Sequence, residues 1–307
     1  MNRNTILLEH YFQHCEYEKS LSPKTLHAYQ FDLNQFTSFL QKHDEKYHLE
    51  SIPKEIIREY LLSIVKRYKG SSAKRKIASL KAFYSFLEHE EIIQVNHFRR
   101  LRLRLNKGKC LPKVIGQEKI KGIINAAHTA KANATTGPEV RRLTRDVAIL
   151  ELLFASGMRV SELCTLNLID LDMVNGSVLV RGKGERERLI PLCSVATLQA
   201  LREYLDTVPP EDEGGFLFPG RNDNSLSPQT VRHITRRYAD AAGVTMRVTP
   251  HMFRHTLATL LLENGVDIRN IQHLLGHSSI AVTEIYVHVS KEAQKRVLLE
   301  RHPRNDW

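Results

Sequence analysis

Five short stretches in the last two thirds of the chain set cations, imidazoles and one tyrosine beside residues that end helices or form turns. Arg159 follows Gly157-Met158 in SGMRVSEL, and Glu162 lies three residues on, close enough along a helical turn to orient the guanidinium. Lys183 occupies the tip of a glycine-flanked turn, R-G-K-G-E, from which an extended side chain can reach into a cleft. In TPHMFRHTLAT, His251 and Arg254 share a face of a helix's first turns, with His255 four residues after His251. LLGHSSI puts His277 directly after a glycine, and Tyr286 follows on the next helix. Each has a plain structural reading: an ion pair, an exposed lysine, a hydrogen-bonded core histidine, a buried tyrosine. Taken together, in the order R…K…H-x-x-R…H…Y, they form a phosphoryl-transfer set that works without a metal. Two guanidiniums can clamp the nonbridging oxygens of a phosphodiester and stabilise the charge of an in-line transition state. A lysine can protonate the departing 5′ oxygen, and a histidine can take the tyrosine proton. The His251 and His255 spacing also raises zinc, but the H-E-x-x-H pattern needs a glutamate where Met252 stands, and Arg254 would bring a cation beside the metal. No metal site and no cofactor are therefore expected.

The elements that must position these groups read as mainly helical. Leu143, Val147, Leu150 and Phe154 line a helix ending at Gly157, a suitable C′ residue. Residues 177–180 and 188–191 flank the RGKGERE turn and read as paired strands. Ser227-Pro228 and Thr249-Pro250 are cap and N1 pairs that open helices, and Asp267 opens another that stops at Gly276. The stretch Thr129 to Pro138 reads as a polar loop. Four amphipathic helices are expected in the first third. Thr5 caps the first, Ser22-Pro23 opens the second, Pro53 begins the third, and Ser71 or Ser72 starts the fourth. Lys74, Arg75, Lys76 and Lys81 crowd the fourth helix's first turns, where cations oppose the macrodipole and an external anion would relieve the cost; a solvated basic face is the alternative. Asn96 to Lys113 reads as a basic interdomain linker, or as a short strand of alternating Arg and Leu.

A chain of 307 residues exceeds the usual size of a single core, so two domains are expected. With 42% hydrophobic and 26% charged residues and no apolar run of membrane-spanning length, the composition is that of a soluble globular protein in the cytoplasm. The start lacks a signal peptide's apolar region, and Cys15, Cys110, Cys164 and Cys193 lie too far apart for a zinc knuckle, which leaves reduced thiols. The net charge of +11 suggests a polyanionic partner. Residues 1–113 carry 21 Lys and Arg against 12 Asp and Glu, so nine of the eleven excess charges lie in the first third. That third reads as a grip on phosphates.

GMRVSEL, RGKGERER, HMFRHTLAT, LLGHSSI and TEIY resemble, in order and spacing, the blocks of the tyrosine recombinases, or phage integrase family, and look closest to its Xer and simple-integrase branch. SPKTLHAYQFDL and KRKIASLKAFYSFL look like that family's core-binding domain, and RHPR is similar to the Xer ending. The resemblance implies a mainly α protein: a four-helix, SAM-like core-binding domain over residues 1–105, a basic linker over 106–113, and a mostly helical catalytic domain with a small β-sheet over 114–307, whose segment from about 290 docks on a neighbouring subunit. It implies that Arg159, Lys183, His251, Arg254 and His277 assemble the phosphate, that Glu162 supports Arg159, and that Tyr286 is the nucleophile forming a 3′-phosphotyrosyl link. DNA contacts fall to Lys24, Thr25, Ser71, Lys74, Arg75, Lys76, Arg99 and Arg100. The implied partners are double-stranded core sites arranged as inverted repeats and a homotetramer on synapsed DNA, nucleoid-associated when bound and with no membrane involved. Neither metal nor ATP is required. Mobile-element integration, plasmid resolution and chromosome-dimer resolution all use this design, with or without a second recombinase or an accessory protein. A type IB topoisomerase would use similar residues, but the compact core-binding domain speaks against it. A purely architectural DNA-binding protein would not need the complete six-residue set.

Overall fold

The computed structural model describes residues 3–44, 47–100, 114–182, 187–208, 215–221 and 224–276. The chain divides into two compact units at Cys110. The first unit holds α1 (Arg3–Gln13), which runs on as a π-helical turn to Glu18, then α2 (Pro23–His43), α3 (Lys54–Arg67), α4 (Gly70–His89) and a closing 3-10 turn, His97–Arg100. Its core is aromatic-rich: Tyr11, Phe36 and Phe83 are almost wholly buried among Leu33, Leu40, Ile57 and Leu87. Ser22 caps α2 as its type suggests, its Oγ accepting from Thr25 N–H at 3.3 Å, with Pro23 in the first turn.

Two expected helix starts move. Helix α1 begins at Arg3, so Thr5 is inside it; buried Asn4 does the polar work there, exchanging bonds with the Tyr47 carbonyl and the Leu49 N–H. Helix α4 begins at Gly70 with Lys69 as its N-cap, one turn position ahead of the serines. Lys69 offers no side-chain cap, and first-turn donors left without one can be met by solvent.

The second unit runs through α5 (Gln117–Ala132), α6 (Gly137–Ser156), α7 (Val160–Cys164), β1 (Leu171–Asp172), β2 (Ser177–Arg181), β3 (Glu187–Pro191), α8 (Val195–Leu205), α9 (Pro228–Ala241), α10 (Pro250–Glu263) and α11 (Ile268–Leu275). Helix α6 is the axis of the core, with every residue from Val147 to Leu153 buried, and α5, α8, α9 and α10 pack around it. A stretch buried all round must be apolar or satisfied, and Glu151, the one charged residue within it, accepts from Thr197 Oγ1 at 3.1 Å and bonds His128 at 3.0 Å. Helices α5 and α6 consume most of the polar stretch expected as a loop, which shrinks to residues 133–136. The three strands form one antiparallel sheet in chain order, in which Val178 faces Ile190 and Val180 faces Arg188. Ser227 and Asp267 cap α9 and α11 through their side chains, accepting from Thr230 N–H at 3.0 Å and Arg269 N–H at 2.7 Å. Gly157 and Gly276 end α6 and α11 in the left-handed region, at φ +59° and +64°.

Candidate active site

Helices α6 and α11 stop close together, and arginines fill the space between their ends. The last carbonyls of a helix have no partner within it and carry the negative end of its dipole. At α11 three consecutive carbonyls each receive a guanidinium: Arg188 Nε donates to Leu274 O at 3.1 Å, Arg254 Nη2 to Leu275 O at 2.6 Å, and Arg159 Nη2 to Gly276 O at 3.1 Å. Arg254 also donates to Gly157 O at 2.8 Å, so one side chain ties both helix ends. The approach is tight, since a Cβ on Gly157 would lie 2.8 Å from both Leu257 and Leu275.

Glu162 anchors the cations. Its oxygens accept from Arg159 N–H at 2.8 Å, from Arg159 Nη1 at 2.6 Å and from Arg188 Nη2 at 2.7 Å. Burial alone would push this carboxyl up, but the bonds from Arg188 and Arg159 outweigh burial and hold it below the usual carboxylate range. Arg254 is 4% exposed, whereas the Arg159 side chain keeps 37% of its surface open. One guanidinium is thus locked inside and the other faces outward with its base fixed, an arrangement suited to receiving an anion without reorganising.

His251 stands one turn before Arg254 on α10, at the surface. Partial burial, then the charges of Arg254, Arg232 and Arg159, lower its pKa. Its ring is therefore neutral at physiological pH and able to accept a proton. His255, half-buried behind it, is lowered by burial, by His251 and by Arg254. Among the described residues no three His, Cys, Asp or Glu side chains gather as a metal-ligand set.

The site expectations thus divide. The structure brings Arg159, Glu162, His251 and Arg254 together. Lys183, His277, Tyr286 and the 290–307 segment lie outside the described residues. Two arginines that sequence reasoning missed belong to the same place. Arg232 on α9 acts on His251 through its charge, and its spacing from the buried stripe Val231, Ile234 and Tyr238 was the available sign. Arg188 left a clearer sign: it alternates with Ile190 on the sheet's inner face while Leu189, its neighbour, is 65% exposed.

In the first unit Lys24, Ser71, Lys74 and Arg75 are exposed, Thr25 is half-buried against Ser22, and Arg99 pairs with Glu88 at 2.9 Å; the Arg100 side chain lies outside the described residues. Lys76 is a correction. Its side chain is 3% exposed, and its ammonium is bonded to buried Asp32 at 2.9 Å and to Gln35 at 2.6 Å and covered by the rings of Phe31 and Tyr68. A cation so enclosed is neutralised internally and is not available to a phosphate. Arg75 shares the same carboxylate from the surface side, which restrains it as well.

Residues 113–293 match the phage integrase family, and residues 8–91 match the phage integrase N-terminal SAM-like domain. A tyrosine recombinase of Agathobacter rectalis is 37% identical, over all of this chain and 99% of that protein. The tyrosine recombinase XerC of Oceanobacillus iheyensis is 33% identical over 99% of this chain and 98% of its own. Among solved structures, the XerH site-specific recombinase bound to palindromic difH substrate, in its post-cleavage complex, is 20% identical with a TM-score of 0.73, covering 96% of this chain and 84% of that one. A lambda integrase tetramer bound to a Holliday junction is 24% identical with a TM-score of 0.66, covering 90% and 77%. These two likenesses are of fold.

Proposed function

The chain belongs to the phage integrase family, and from that premise we propose how its own residues break and remake a DNA strand. It is a site-specific tyrosine recombinase of the Xer-like branch, an enzyme that cleaves and rejoins DNA. Arg159 binds the nonbridging oxygens of the scissile phosphate and Glu162 keeps it aimed, while Arg254, which donates to two neutral carbonyls, brings its charge to the phosphate by exchanging a helix-end carbonyl for one of its oxygens. Neutral His251 accepts the Tyr286 proton as the phenolate oxygen attacks phosphorus. The bond from phosphorus to the 5′ oxygen breaks, Lys183 protonates that oxygen, and His277 completes the grip on the phosphate. The products are a 3′-phosphotyrosyl link and a free 5′-hydroxyl. A partner strand's 5′-hydroxyl then attacks the link and releases the tyrosine, so the bond energy is conserved and no ATP enters.

The observation that supports these roles is the cluster in which Glu162 fixes one outward-facing arginine beside a buried one, under a neutral histidine. At a larger scale, residues 1–105 grip inverted-repeat core sites on double-stranded DNA, 106–113 link the domains, and the segment from about 290 joins neighbours in a homotetramer. The charge excess of the first third supports that larger arrangement, as do the lambda integrase tetramer on a Holliday junction and XerH on its palindromic difH substrate.

The test begins with selection of a bound site from a random duplex library. A nick placed near the cleavage point then lets the short product diffuse away. An adduct of protein and DNA that survives SDS, formed in EDTA, is the expected result, because cations of the protein supply the charge neutralisation. Tight, selective binding without any adduct would leave a DNA-binding module and overturn the enzymatic roles.

A further inference from the structure

We infer that Arg188 is a positioning residue of the strand-cleavage site: through Glu162 it holds Arg159, and through Leu274 and Gly276 it fixes the end of α11, the turn that precedes His277 in the sequence. This deepens the recombinase roles proposed above and rests on them.

Arg188 occupies a place where a strand ordinarily puts an apolar side chain. It lies opposite Val180 in the register, on the face shared with Val178 and Ile190, and its side chain is only 13% exposed. Enclosing a guanidinium costs several kcal/mol of desolvation unless its donors are met in good geometry. They are met by two partners far apart in sequence. Nη2 and Nη1 reach the two oxygens of Glu162, at 2.7 and 3.2 Å, while Nε reaches Leu274 O at 3.1 Å. The same carboxylate holds Arg159, so the two guanidiniums share one anion.

The third contact is steric. A Cβ on Gly276 would stand 3.0 Å from Arg188 Nη1 and 3.1 Å from its Cζ, which means the guanidinium lies flat against that glycine. Gly276 is thus required by its φ of +64° and again by the arginine above it. Arg188 therefore joins β3, the start of α7 and the last turn of α11 in one rigid unit. Lysine cannot replace it, since one ammonium cannot bond both carboxylate oxygens and a carbonyl on the opposite side at once. A residue of this kind acts on rate by holding others in the reactive geometry, where a displacement of an ångström costs about 10²-fold.

The experiment compares wild type with Arg188→Lys, Arg188→Ala, Glu162→Gln and the Arg188→Ala/Glu162→Gln double variant on the nicked duplex. Affinity is read by gel shift, cleavage by single-turnover adduct formation on saturated DNA, and folding by thermal melt. Arg188→Lys should bind within about twofold of wild type yet cleave on the order of 10²-fold more slowly. The losses in the double variant should fall short of multiplying, because both residues act on Arg159 while Arg188 alone also acts through the end of α11. Gly276→Ala, which displaces the guanidinium without removing it, should slow cleavage similarly and keeps the test decisive if the Arg188 variants do not fold. Cleavage by Arg188→Lys and Gly276→Ala at the wild-type rate, or losses that multiply in the double variant, would overturn the inference while leaving the recombinase roles intact. Absence of an adduct from wild type would remove both.

Discussion

His251 is kept neutral by its surroundings, and that sets a pH dependence with a definite sign. Burial and the charges of Arg254, Arg232 and Arg159 all disfavour the imidazolium, so its folded pKa lies below the usual 6.5. In the role proposed for it, as acceptor of the Tyr286 proton, it must be unprotonated. Single-turnover cleavage should therefore be full at pH 7 and fall only as the pH drops below about 6.5, and His251→Gln should flatten that limb. A rate that declines as the pH rises through this range would show the charged ring at work instead. Stability moves the same way. His251 and His255 bind a proton less readily folded than unfolded, so the unfolded chain holds more protons from about pH 6.5 down to the folded values. Stability is lost as the pH falls through that window, and the depressed Glu162 carboxyl extends the loss below its own ordinary range. At this scale the sequence was informative wherever partners are near in the chain. The Arg159 and Glu162 pair follows from a spacing of three residues, whereas Arg188 and Glu162 are 26 apart and meet only once the strand and α7 are folded.

Helix α4 shows what periodicity does and does not reveal about elements. Its buried stripe runs Ala73, Lys76, Ile77, Leu80, Phe83, Tyr84 and Leu87, so Lys76 lies on the core face by spacing alone. Read by charge, it looked like a phosphate ligand; read by period, it needed a buried counter-ion, which is Asp32 of α2. The pairing was illegible because it depends on which helix faces which, a property of the packed unit. Removing one member of such a pair leaves the other charge buried and unpaired, at a cost of about 3–5 kcal/mol. Asp32→Asn should lower stability by roughly that amount in denaturant melts, and Asp32→Leu/Lys76→Met should recover most of it. A change below about 1 kcal/mol in Asp32→Asn would mean that solvent reaches Lys76. Capped starts such as Ser22, Ser227 and Asp267 were readable because the cap is local, and those of α1 and α4 were misplaced because a hydroxyl near a helix start need not open it: Thr5 lies inside α1, and Lys69 precedes α4 without a side-chain cap.

On the scale of the whole molecule, charge and chemistry are divided between the two units. Nine of the eleven excess positive charges lie in residues 1–113, and the titrating site is built in the second unit. The division and the family resemblance were legible together because composition and motif order survive without any knowledge of packing. If the first unit grips phosphates, binding must weaken steeply with salt as counterions are released, with a slope near 0.9 for each phosphate neutralised. Lys24→Ala/Lys74→Ala should reduce that slope by about two, whereas Lys76→Met should leave it unchanged because its charge is already satisfied inside. Equal effects from both would assign the slope to overall charge. The roles proposed for the second unit converge on one covalent bond, so the most direct measurement identifies the residue that carries it. Wild type and Tyr286→Phe are incubated with the nicked duplex in EDTA, the SDS-stable adduct is digested, and the DNA-linked peptide is sequenced by mass spectrometry. The expected result is a nucleotide attached to Tyr286 in wild type and no adduct from Tyr286→Phe at unchanged DNA affinity. An adduct of equal yield from Tyr286→Phe, or a nucleotide on any other residue, would contradict it.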